Sequence, residues 1–160
     1  MSILVFKVHH SGSHDLSNTL VKIPDLTVAF TVDKKSHVFI SGHVGFQHRK
    51  IPLTANTKAY GTDKTEYAIG IGARLAHKEG AGSEKWINGS KWGPNITSGT
   101  EHYIVIPLSG YILVNPGTHE ISFWATAHTD APGAYSHPAE IMRNSDGSQT
   151  DPYNQLIVRV

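Results

Sequence analysis

Residues 114–128, VNPGTHEISFWATAH, decide the fold class. Asn115, Pro116 and Gly117 spell a turn: proline pre-sets its φ, and glycine and asparagine tolerate the conformations a tight reversal needs. Beyond it, Ile121, Phe123, Ala125 and Ala127 alternate with Glu120, Ser122, Trp124, Thr126 and His128. A period of two is that of a strand, with one set facing inward and the other outward or toward a partner. A helix would repeat its apolar residues at 3.6.

The same period recurs along the chain. Leu4, Phe6 and Val8 form one set, then Val28, Phe30 and Val32, then Val38, Ile40, Val44 and Phe46, and at the far end Leu156, Val158 and Val160. Turn residues separate the runs: Ser11-Gly12-Ser13, Pro24-Asp25, Asp33-Lys34-Lys35 and Asp146-Gly147. The residues Leu75 to Glu79 could form one helical turn, ended by Gly80 and Gly82; no longer helical stripe exists. Many short strands with a turn every ten residues or so predict an all-β sandwich or jelly roll. No internal repeat or linker divides residues 1–160, so one domain is expected. Two stretches, about 80–100 and 129–154, read as long functional or partner-facing loops.

Composition narrows the function. At 160 residues, the chain can bury roughly 68–70% of its unfolded surface. Fourteen Lys and Arg against thirteen Asp and Glu leave a net charge of +1, which argues against a basic nucleic-acid groove. There is no cysteine, which excludes a disulfide scaffold, a zinc–thiolate site and a cysteine nucleophile. Eleven histidines would carry the charge from +1 to +12 if all were protonated, so the surface field should respond to acid. The apolar run at residues 3–6 is too short for a signal peptide or a membrane span. A protein cytoplasmic at synthesis is expected, compatible with non-classical export or packaging into a phage or virion particle.

Several segments, taken in order, resemble a known family. Residues 19–32, TLVKIPDLTVAFTV, resemble the early strand pair of bacterial and phage TNF/C1q-like jelly-roll modules, with Asp25 where that turn carries a glycine. Residues 37–44 resemble the next strand. Residues 114–124 resemble the penultimate hairpin, whose PG turn opens a long strand. Residues 151–160, DPYNQLIVRV, resemble the closing strand. Nearest in pattern are the trimeric fucose-binding TNF-like lectin domains of bacteria. That resemblance implies a homotrimer with sugar sites between protomers. It also implies that Tyr67 contacts sugar, that the turn around Thr100 lines the site, and that Tyr153 belongs to a D-x-Y motif with Asp151. Glu101 and His102 stand where those lectins carry an arginine.

The residues themselves offer candidates. Trp86 and Trp92 lie six apart, with Asn88, Ser90 and Lys91 between them. Indole faces stack on the C–H face of a pyranose, and amide and hydroxyl groups bind its hydroxyls. The same tryptophans could instead pin a loop to the barrel. Trp124 and Phe39, both on the non-core side of their strands, suggest a partner, or else a second sheet within the protomer. The histidines lack ligand spacing: His37 and His43 share a face but sit roughly 20 Å apart on an extended strand. Asp130, Asp146 and Asp151 could hold calcium or simply form turns. No G-x-S-x-G, H-E-x-x-H or P-loop motif occurs.

The expectation is therefore a non-enzymatic, cofactor-free, lectin-like homotrimer that binds a glycan or cell-surface receptor through Tyr67, Trp86, Asn88, Trp92, Thr100, His102 and Tyr153. The alternative is a structural trimer, such as a fibre tip or oligomerisation head.

Overall fold

The computed structural model describes residues 4–9, 13–48, 68–87, 95–97, 102–129, 139–141 and 154–160. Among them run eleven strands and no helix: β1 (Val5–His9), β2 (His14–Leu16), β3 (Val21–Val32), β4 (Ser36–His48), β5 (Ala68–Glu79), β6 (Lys85–Trp86), β7 (Asn95–Thr97), β8 (His102–Val114), β9 (Gly117–Thr129), β10 (Ala139–Ile141) and β11 (Gln155–Arg159). Every pairing is antiparallel.

The strands form two sheets. In sheet I, β8 pairs with the whole of β4, and β11 and β10 lie end to end along the other side of β4. β1 pairs with β11, and β2 with β10. In sheet II, β3 pairs with β9, β9 with β5, and β6 and β7 with opposite ends of β5. Among the described strands the chain crosses between sheets six times, from β2 to β3, β3 to β4, β4 to β5, β7 to β8, β8 to β9 and β9 to β10. The result is an all-β jelly-roll sandwich. Its core is the inward set of both sheets, including Phe46, Ile106 and Leu156 from sheet I and Ile71, Leu75, Ile121 and Phe123 from sheet II.

The alternation in residues 121–127 holds: Ile121, Phe123, Ala125 and Ala127 are all buried. The turn before it, however, does not close a hairpin of paired strands. It carries the chain from β8 in sheet I to β9 in sheet II, with Gly117 at φ 145°. Residues 75–79, where a helical turn was an option, are strand. Leu, Ala, Lys and Glu favour helix, but β5 is paired with β9 from Ile69 to Glu79, and tertiary pairing overrides that weak local preference. The 80–100 stretch is not all loop, since β6 and β7 lie within it; β10 interrupts the second long stretch.

The Pro24–Asp25 turn is a bulge inside β3. Between Lys22 and Thr27 the strand advances five residues while β9 advances two, from Trp124 to Ser122. Asp25 adopts φ 62°, a left-handed conformation that aspartate tolerates better than most residues and that glycine would adopt freely. Pro24 fits because β3 is a sheet edge and bulges spare proline's missing N–H. The insertion lets both Ile23 and Leu26 reach the core while Pro24 and Asp25 stay exposed.

Candidate functional site

Two outer faces remain once the core is filled, and they differ in character. On sheet I the register aligns Val5, Arg159, Phe39 and Tyr111 in one row across β1, β11, β4 and β8. The next row is Lys7, Ile157, Ser41 and Ser109, and His37 stands beside Leu113. Among the described residues, five of the seven large exposed hydrophobic side chains belong to this face: Val5, Phe39, Val105, Tyr111 and Leu113. Phe39 and Tyr111 are 56% and 52% exposed although their rings touch, with centroids 5.1 Å apart. The imidazole of His37 stacks on Tyr111 and hydrogen-bonds its hydroxyl. Arg159 donates from Nη1 to Ser41 Oγ at 3.2 Å. Phe39, Tyr111 and Leu113 adjoin, while Arg159 stands between Val5 and Phe39 and Val105 lies three rows from Tyr111.

On sheet II, β6 is held by its neighbour. Ile87 is buried and donates its N–H to Leu75 O at 3.0 Å. Its side chain fills the space beside Gly110, where a Cβ would lie only 3.0 Å from Ile87 Cγ2. With Ile87 turned inward, Trp86 is turned out. Its indole meets Trp124 edge-on, with centroids 5.6 Å apart at 89°, and the Arg74 guanidinium lies 4.7 Å from its ring centre. Trp124 Nε1 donates to Ser122 Oγ at 2.9 Å. Alongside, Lys22 Nζ contacts Glu120 at 2.5 Å and Glu84 at 3.1 Å. Burial pulls the Lys22 ammonium down, but the hydrogen bonds to Glu120 and Glu84 outweigh it and hold its pKa above the usual 10.5. Trp124 is therefore partly covered within the chain, while Phe39, also read as partner-facing, stays exposed despite its contact with Tyr111.

Of the sequence-predicted contacts, Trp86 is exposed at this cluster. His102 begins β8 opposite His48, in the other sheet. Tyr67, Asn88, Trp92, Thr100 and Tyr153 lie outside the described residues, as do Asp130, Asp146 and Asp151. Trp86 neighbours Trp124, a pairing hidden in the sequence because 38 positions separate them.

Two further groups went unseen. His119 is buried among core residues, its ring 5.5 Å from that of Phe30. It stacks on His77, with His77 Nε2 3.1 Å from His119 Nδ1. His119 Nε2 is 2.9 Å from the Asn115 carbonyl and must donate to it, so Nδ1 accepts from His77. Burial, the neighbouring His119 and Lys85 hold the His77 pKa below 6.5, against the pull of Glu79. Asn154 is fully buried and accepts the Gly45 N–H at 2.9 Å, tying the start of β11 to β4. Among the described residues, no three His, Asp or Glu side chains gather as a metal site.

No family model and no curated protein matches the sequence. Solved structures do match in fold. A chain from the structure of infectious bursal disease virus, Gt strain, aligns over 99% of this protein with a TM-score of 0.56 and 11% identity. This protein spans 32% of that chain. At such identity the likeness is one of fold, and what the two chains share is an antiparallel β-sandwich of the jelly-roll kind.

Proposed function

We propose that the protein is a non-catalytic assembly and recognition module of TNF/C1q-like character. Sheet I mates with further copies through its apolar outer face to form a homotrimer. The outer face of sheet II then stays accessible, and its Trp86–Trp124–Arg74 cluster receives a glycan or a cell-surface receptor. The concentration of exposed large apolar side chains on one sheet face carries this reading. Burying a phenylalanine or valine contributes roughly 1.5–3 kcal/mol. Five such residues on each of three copies supply a substantial driving force. The sequence motifs at residues 19–32, 37–44, 114–124 and 151–160, in that order along the chain, support the family reading.

Recognition rests on chemistry at Trp86. An exposed indole braced edge-on by a second indole presents a stiff apolar surface, and the Arg74 guanidinium over its ring adds hydrogen-bond donors. Weak sites repeated around a threefold axis would gain by avidity.

The second reading is a structural trimer such as a fibre tip or a component of a virion particle, favoured by the fold likeness to a chain of a virus structure. A glycan array separates the two. The lectin reading expects hits with the wild type that disappear in Trp86→Ala while its mass is unchanged. Silence from a folded, assembled wild type would transfer the account to the structural reading.

A further inference from the structure

The β3–β4 turn overhangs a cavity of about 560 Å³, within the size range of small-molecule sites. Its lining is mostly apolar, with Leu4, Val32, Phe39 and Val160 among the contributors. Leu4 and Val160 are tied to each other by a reciprocal pair of backbone hydrogen bonds, 3.0 and 2.9 Å long, which sets the spacing of that wall. The charged residues lining the cavity are Lys34, Lys35 and Arg159, opposed by Asp33 alone. Among the described residues neither lysine forms an ion pair. Arg159 spends one N–H on Ser41 and keeps the rest of its donor fork.

An apolar chamber with three cations and one acid fits a ligand with an apolar body and a single negative group. We propose that this cavity binds a small amphipathic carboxylate, its hydrocarbon part among Leu4, Val32 and Val160 and its carboxylate at Lys34, Lys35 and Arg159. A neutral ligand of the same shape would leave the cations unused, and a cationic one would meet like charge. The site is independent of the glycan reading and lies apart from the Trp86 cluster. It shares His37, Phe39 and Arg159 with the proposed assembly face, so its test uses substitutions in the turn rather than on that face.

Calorimetric titration with octanoate, octanol and octyltrimethylammonium tests it on the full chain. Octanoate should saturate at one per chain, bind at least tenfold more tightly than octanol, and weaken as salt is added. Octyltrimethylammonium should not bind. The double variant Lys34→Gln, Lys35→Gln should weaken octanoate about tenfold or more with an unchanged melting temperature, because both side chains are exposed. Light scattering of the double variant should return the wild-type mass. Equal affinity for octanoate and octanol, octanoate binding indifferent to the double substitution, or no saturable octanoate binding would each overturn the proposal.

Discussion

The outer faces of sheets I and II are built from the same kind of antiparallel strand, yet only one of them is finished within the chain. On sheet II, Trp86 covers Trp124, Arg74 lies over Trp86, and Lys22 is neutralised by Glu84 and Glu120. On sheet I, Phe39, Tyr111 and Leu113 lie side by side and exposed. The outward set of a strand is therefore not one category. What separates the faces is whether another strand of the same chain supplies a lid, as β6 does for β9.

The largest expected effect of breaking this contrast falls on assembly. Phe39→Asp puts a charge in the centre of the sheet I face in every copy. It should weaken association by at least a hundredfold, beyond the roughly 1.5–3 kcal/mol of lost burial, since a desolvated carboxylate is added. Trp124→Ala, on the other face, should lower the melting temperature and leave the mass unchanged. If Trp124→Ala dissociates the protein and Phe39→Asp does not, the faces have been assigned the wrong way round.

Next in size is the tie between β11 and β4. Asn154→Ala leaves the buried Gly45 N–H without its Oδ1 acceptor and should cost about 1–3 kcal/mol. Hydrogen exchange should rise at Gly45 and its neighbours in β4 while β5 and β9 keep their protection, because the loss is confined to sheet I.

Acid should act first on sheet II. The His77 pKa is lowered in the fold, so the unfolded chain takes up the proton more readily. The stability this group contributes is present above pH 6.5 and is lost as pH falls through the depressed folded value. Melting temperatures measured from pH 7.5 to 5 should therefore fall, and His77→Gln should flatten part of that slope. An unchanged slope in the variant would remove His77 as the acid-sensitive group. Smallest of all is Glu84→Gln: it removes one of two partly exposed partners of Lys22 and should cost less than about 1 kcal/mol by denaturant unfolding.

The fold was legible where a local period is enough. The sets Val28, Phe30 and Val32, and Ile121, Phe123, Ala125 and Ala127, face inward as alternation requires. Legibility failed where non-local partners decide. Residues 75–79 carry helix-favouring side chains, and only pairing with β9 makes them strand. The stack of His77 on His119 joins positions 42 apart through the β5–β9 register, which no local window contains. Of the candidate site, exposed Trp86 was legible as an aromatic in a polar loop, but its companion Trp124 was read as facing a partner. Phe39 could be placed outside the core by parity. That no strand of its own chain covers it follows only from the sheet order.

The central claim is that the sheet I face is a contact surface between copies, and mass in solution by light scattering tests it most directly. The account predicts a value near three times 17.4 kDa for the wild type and 17.4 kDa for Phe39→Asp. A wild type that stays at 17.4 kDa across the concentration range would contradict it.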